Sequence, residues 1–259
     1  MPMPDLAEFY SPTGTELIET FYSSGYLSMG GSASTDILAA GAVITAETRV
    51  LDVGSGLGGP ALHIAECHGC RVAGLDIVAS NIRTAGERAL AGGLQHLVEF
   101  RLGDATAMPF KAGDFDVILG QDAWCHIPDK DRLIAECARV ITPGGRVAFT
   151  DWLQRGEMAG AYRDEVLTAM AASNLGTLES YGALLARHGF TVLHAEDVSA
   201  VFIAQYTAIV ARLEGLESEI SETYSPKLYN IIHAMNGTIQ RAFADGKLGG
   251  GRIIARKDG

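Results

Sequence analysis

The sequence predicts an α/β protein: a seven-stranded, mostly parallel sheet with helices on both faces and a helical cap. Three observations carry this. Short apolar runs near residues 49–53, 71–75, 98–102, 115–120 and 146–150 have the length and content of buried strands. Segments at about 58–68, 79–91 and 129–139 repeat apolar residues every three or four positions, the spacing of amphipathic helices. Their alternation is that of βαβ units, in which a helix carries the chain back so that successive strands run parallel.

The remaining elements follow in order. After a polar, proline-containing start, residues 14–24 and 34–42 read as short helices around a loop at 25–32. Pro143, Gly144 and Gly145 interrupt the pattern before the fifth strand. Residues 178–188 form a helix, Gly189 ends it, and 190–195 make the sixth strand. A helical tract from 201 to about 243 is expected to break at Pro226, and glycines 246 and 249–251 lead into a last strand at 252–255. This divides the chain into an N-terminal lid with helices, 1–45, and a core, 46–259, with cap elements at about 152–177 and 200–247.

Composition limits the function. The chain has 259 residues, 47% of them hydrophobic, enough for a sizeable core. A formal charge of -11 disfavours a nonspecific nucleic-acid surface, which needs cations against phosphates. No apolar run is long enough to span a bilayer, so no membrane partner is expected. The start MPMPDLAEFYS lacks the basic and apolar regions of a secretory signal, which favours a cytoplasmic location. Cys67 and Cys70 have metal-like spacing but no matching second pair, and read as helix-end packing; Cys125 reads as an apolar pocket wall.

The most informative stretch is RVLDVGSGLGGPALHIAECHGCRVAGLDI, residues 49–77. Glycines 54, 56, 58 and 59 let a strand turn sharply into a helix and let backbone approach a ligand. Asp76 ends the next strand, where a carboxylate can accept from both hydroxyls of a ribose. Nicotinamide or flavin dinucleotides and S-adenosylmethionine both suit such a unit. Asp52 separates them, because a carboxylate beside the turn repels a pyrophosphate and favours an ammonium group. The reading is therefore a Rossmann-like core that binds the phosphate-free methyl donor.

With these residues in place, the chain resembles the class I S-adenosylmethionine-dependent small-molecule methyltransferases. The segments YLSMGG, VLDVGSGLGG, GDATAMPF, QDAWCHIPDKDRLIAECARVITPGG and FTDW make it similar to sarcosine and dimethylglycine N-methyltransferases, with phosphoethanolamine methyltransferases as near relatives. The resemblance implies that Ser28 contacts the methionine portion, Gly54 and Gly56 form the glycine loop, and Asp76 and Ile77 meet ribose and adenine. It places Asp104 and Ala105 at the adenine edge and Gln121 near the sulfonium. It makes His126 the active-site histidine, acting as a base or as a latch on a tyrosine hydroxyl, with Tyr26 closing the site and Asp122 as a second wall. Met108 and Phe110 read as core.

For the acceptor, Tyr22 is a lid or binding residue, Trp124 offers a face to a cationic methylamine, and Asp151 and Trp152 border the pocket. Arg163, in the cap, is the candidate partner for a substrate carboxylate. The expected reaction is N-methylation of a small amine, sarcosine or dimethylglycine to betaine, releasing S-adenosylhomocysteine and needing no metal. Phosphoethanolamine or another small-molecule N- or O-acceptor is the alternative, although the late helix LYNIIHAMNGTIQ lacks the basic, tyrosine-rich cradle a phosphate would need; Tyr181 or Lys227 would have to compensate. A cofactor-binding protein without catalysis is the alternative from another class. The apolar face around Leu228, Ile231, Ile232 and Met235 reads as cap packing, and the chain as a monomer or homodimer.

Overall fold

The computed structural model describes residues 6–259. The N-terminal part holds α1 (Leu6–Phe9), α2 (Pro12–Phe21) and α3 (Gly31–Ala42). Ser11 starts α2: its hydroxyl accepts from the Gly14 N–H at 3.3 Å, and Pro12 fills a first-turn position where the missing N–H costs nothing. The core then runs β1 (Arg49–Val53), α4 (Gly59–His68), β2 (Arg71–Asp76), α5 (Ala79–Ala91), β3 (Val98–Leu102), β4 (Phe115–Gln121), α6 (Lys130–Val140) and β5 (Ile141–Gln154). After it come α7 (Gly160–Ala169), α8 (Leu178–Arg187), β6 (Phe190–Asp197), α9 (Ser199–Gly215), α10 (Glu217–Thr223), α11 (Pro226–Ala244) and β7 (Leu248–Lys257).

The seven strands form one sheet in the order β3-β2-β1-β4-β5-β7-β6, with only β7 antiparallel to its neighbours. Alternation along each strand sends side chains to both faces. Leu51, Ile118 and Phe149 pack on one face with α6 and α8, while Val50, Val117 and Ala148 pack on the other with α3 and α4. A third cluster, centred on Trp152, Phe202, Tyr206 and Phe243, joins the end of β5 to α9 and α11. Because β1 lies between β2 and β4, the crossovers leave in opposite directions there, opening a crevice at the carboxyl ends of β1 and β4.

Two expectations are adjusted. The Pro143–Gly145 turn lies inside β5 rather than before it: Phe115 pairs with Ile141 and Val117 with Arg146, so the turn bulges out of the ladder with Gly144 at φ 79°. Antiparallel pairing with β7 then carries β5 on to Gln154, into the segment assigned to the cap. The long helical tract breaks twice, at Leu216 as well as at Pro226, where Ser225 caps the new helix through the Leu228 N–H at 3.1 Å.

Candidate active site

The glycine loop follows β1. Gly54 and Gly56 take φ of 82° and 50°, open to glycine but strained for other residues, and the N–H groups of Gly54 and Ser55 donate to the Leu75 carbonyl at 2.8 and 3.0 Å. The Asp76 carboxylate accepts from the N–H groups of Gly56 and Val78, both at 2.8 Å. Burial raises its pKa, and these N–H donors oppose the rise. Loop and carboxylate are thus one fixed unit.

A cavity of about 310 Å³ opens above this unit. Ser28, Gly54, Gly56 and Asp76 line it, and Ile77, Asp104, Ala105 and Gln121 complete the wall. Asp104 is anchored by accepting from the N–H and hydroxyl of Thr106 at 2.7 and 2.8 Å. Four aspartates, 76, 104, 122 and 129, line the cavity, and among the described lining residues there is no lysine or arginine. A pyrophosphate would meet only negative charge here, whereas a cationic nucleoside would be welcome.

Asp52 does not reach the cavity. It is buried in β1 with Oδ2 lacking any hydrogen-bond partner among the described residues. Burial, then the nearby charge of Asp76, pushes its carboxyl up to about 7. Such an orphaned oxygen beneath the loop is what a bound ammonium would stabilise in its charged form, so the residues fit the methyl donor.

A second cavity, of about 320 Å³, adjoins the first. Tyr10, Leu27, Asp122 and His126 line both. His126 ends a short 3₁₀ turn, Trp124–His126, and its two ring nitrogens are both engaged: Nδ1 with the Ala171 carbonyl at 2.8 Å, Nε2 with the Tyr10 hydroxyl at 3.1 Å. A carbonyl can only accept, so Nδ1 carries the proton and Nε2 accepts from Tyr10. Burial holds the imidazole pKa below its ordinary value, so the ring is neutral and has a basic lone pair facing the junction.

Gln121 and Asp122 fasten the N-terminal segment to this junction. Gln121 Oε1 accepts from the Thr35 hydroxyl at 2.8 Å, and its Nε2 donates to the carbonyls of Met29 and Gly31 at 3.2 Å each. Asp122, at the left-handed φ of 56°, accepts from the Met29 N–H at 2.8 Å and from the Thr150 hydroxyl at 2.7 Å. Burial pushes its carboxyl up to about 7 against those two bonds. A left-handed aspartate is uncommon; here the fixed carboxylate compensates for the backbone conformation.

The acceptor candidates divide. Tyr22, Trp152 and Cys125 line the second cavity. Trp124 does not: it is fully buried, stacked on Phe149 with centroids 4.1 Å apart, and its indole N–H donates to the Val53 carbonyl at 3.2 Å. Asp151 is buried beside it, accepting from the Cys125 N–H at 3.0 Å and the Tyr181 hydroxyl at 2.6 Å, and faces neither cavity. Arg163, on α7, is part-exposed and lines neither. Tyr26 is buried under the entrance loop against Gly59, outside both linings. Met108 and Phe110 pack in the core as expected.

Two contributors were not anticipated. Tyr10 sits in the polar, proline-containing start to which no element was assigned, although Leu6, Phe9 and Tyr10 fall at helical spacing. Lys130 is buried and donates to the carbonyls of Trp124, Ile127 and Asn174 at 3.1, 3.1 and 3.2 Å, holding the His126 turn in place.

A doubly wound sheet with an acidic cavity at its switch point defines a binder of a cationic, phosphate-free nucleoside. Comparison with known proteins makes this specific. The methyltransferase domain family matches residues 51–149. Phosphoethanolamine N-methyltransferase 1 of Zea mays is 30% identical over 251 residues, 96% of this chain and 49% of that protein, so the chain spans about half the length of this relative. The 27-O-demethylrifamycin SV methyltransferase of Amycolatopsis mediterranei is 33% identical over 190 residues, 71% of this chain and 69% of that one. Among solved structures, a candidate sarcosine dimethylglycine methyltransferase of Galdieria sulphuraria superposes with a TM-score of 0.81 at 25% identity, over 87% of this chain and 85% of that one. The chain belongs to the class I S-adenosylmethionine-dependent methyltransferases, related to the sarcosine/dimethylglycine and phosphoethanolamine N-methyltransferases.

Proposed function

We propose that this chain transfers a methyl group from S-adenosylmethionine to a nucleophilic nitrogen or oxygen of a small molecule, an amine being the acceptor class the relatives' names favour. The observation that carries the reading is the common wall: Tyr10, Leu27, Asp122 and His126 stand between an acidic, nucleoside-sized cavity and a second, apolar one. When bound, the cofactor supplies an electrophilic methyl on a sulfonium centre. Asp76 would accept from the ribose hydroxyls, Ile77 would cover the adenine, and the Asp52 and Asp122 carboxylates would favour the cationic portion.

On the acceptor side, His126 Nε2 has the lone pair needed to take a proton from the attacking group, since an alkylammonium or an alcohol must lose one. Tyr10 occupies that lone pair, so it either relays the proton or gives way to the acceptor. Gln121 and Asp122 position the entrance segment and exclude water from the junction. Betaine formation is one member of this reaction class. The wider reading, a small N- or O-acceptor beyond the methylglycines, has better support: matched relatives are named for phosphoethanolamine and for an O-demethylated rifamycin, and Arg163 stands away from the second cavity, where a methylglycine carboxylate, like a phosphate, would need a cation.

The test pairs binding with turnover. Calorimetry with S-adenosylhomocysteine on wild type and Asp76→Ala measures the cofactor site; methyl-labelled cofactor with sarcosine, dimethylglycine, phosphoethanolamine or a phenol, followed by mass spectrometry, measures transfer. Cofactor binding that Asp76→Ala weakens, together with any methylated product, is the expected result. Tight cofactor binding without product from any acceptor class would overturn the transfer reading.

A further inference from the structure

We infer that the second cavity takes an apolar small molecule that presents one hydroxyl or amine and carries no carboxylate or phosphate. This rests on reading the adjoining cavity as the methyl-donor site. The lining decides it. Among the described residues around this cavity there is no lysine or arginine, and residues 1–5, MPMPD, contain none. Two cations that contact the backbone near this lining are committed elsewhere: Arg212 is exposed and donates to the Tyr22 carbonyl at 3.1 Å, and Lys130 is sequestered on its three carbonyls. Tyr181 is tied to Asp151, and Lys227 is exposed and absent from the lining.

The far wall is largely apolar, and the Tyr206–Asn236 pair within it is already used. Leu17, Ile18, Leu228, Ile232 and Met235 of α2 and α11 face the cavity. Tyr206 donates to Asn236 Oδ1 at 2.6 Å, and Asn236 Nδ2 donates to the Ile232 carbonyl at 2.8 Å, so this pair satisfies itself. An anionic group pushed to that wall would lose its hydration and find no cation among the described lining residues, which penalises it heavily. An apolar body would instead bury its surface there favourably. At about 320 Å³ against about 310 Å³, the cavity is as roomy as the one for the nucleoside, far more than a methylated glycine needs. The nucleophile belongs at the other end, where Tyr10, His126 and Asp122 converge.

Calorimetry decides it on the full chain saturated with S-adenosylhomocysteine, using four titrants: 1-naphthol, N-methylbenzylamine, dimethylglycine and phosphoethanolamine. At least one apolar probe is expected to bind about tenfold or more tighter than either anionic compound. Ile232→Glu and Met235→Glu, each retaining wild-type cofactor affinity as proof of folding, are expected to weaken that probe about tenfold or more. Equal or tighter binding of dimethylglycine or phosphoethanolamine, no binding of either apolar probe, or indifference to both substitutions would overturn the inference. Mass spectrometry of the same pairs with the methyl donor separates the two readings: a tightly bound apolar probe with no methylated product from any of the four compounds leaves this cavity assignment standing and removes the transfer reading. Which of the two apolar probes is methylated identifies the nucleophile as oxygen or nitrogen.

Discussion

The Tyr10 hydroxyl donates to Nε2 of His126 at 3.1 Å, joining positions 116 residues apart across the boundary between the two cavities. The Ala171 carbonyl on Nδ1 fixes the imidazole as its Nδ1–H tautomer, and the Tyr10 bond to the free Nε2 brings the first described helical turn over the junction.

Removing the proposed base should cost turnover and spare cofactor binding. His126→Asn is expected to lower kcat by about a hundredfold or more, in the range general bases contribute, while S-adenosylhomocysteine affinity stays close to wild type. Tyr10→Phe should lower kcat less, by about tenfold, because Nε2 keeps its lone pair but loses the group that orders it. Single-turnover rates beside calorimetry check both.

Asp76 holds the loop and, on the proposed reading, would hold the ribose too. Asp76→Ala therefore frees two N–H donors and removes a charged acceptor, and is expected to weaken cofactor binding by about ten- to a hundredfold. An unchanged dissociation constant would show that the ribose lies elsewhere.

The buried Asp52 carboxyl makes stability depend on pH. Its folded pKa, about 7, lies above the ordinary carboxylate value, so between about pH 4 and pH 7 the folded state keeps a proton that the unfolded state has released. The stabilisation is present in full below the unfolded pKa and is lost as pH rises towards 7. Asp122, also raised to about 7, adds in the same direction. Asp52→Asn should flatten this slope, on the order of a few kcal/mol across the window, read as denaturant midpoints at pH 5 and pH 8.

The two tryptophans should separate stability from acceptor recognition. Trp124→Phe removes the indole donor to Val53 and is expected to lower stability by about 1–3 kcal/mol with little change in acceptor KM. Trp152→Leu should raise acceptor KM about tenfold, since its ring lines the second cavity. Arg163→Ala should leave both close to wild type.

The parallel part of the fold was legible because each strand is a short apolar run and each helix an amphipathic one, and the glycine loop with Asp76 marked the end of the sheet where the first cavity opens. The direction in which a side chain turns was not. Trp124 and Trp152 look equally suited to a pocket; only the left-handed Asp122 and the space beside Gly120, which has no Cβ to meet the indole, turn Trp124 inward. Arg163 was assigned by its charge and its place in the expected cap, and helix α7 carries it away from the cavity. Tyr10 went unnoticed because a single helical turn shows too few repeats to reveal a period. The apolar face of α11 was read as packing against the cap, and it borders open space as well, a difference that depends on how far α2 stands from it.

The position of β7 has a consequence for how the chain comes to be made. It is the last strand in chain order, yet it lies between β5 and β6 and is the strand through which β6 joins the sheet. During synthesis β5 therefore keeps an open edge, and β6 has no neighbour, until residues 248–257 have emerged. A nascent or truncated chain exposes rows of unpaired N–H and C=O groups that invite pairing with other chains. The sheet, and with it the β5 end that carries Trp152, completes only after that strand has been made, so a chain interrupted before residue 248 would be aggregation-prone rather than merely short of one strand.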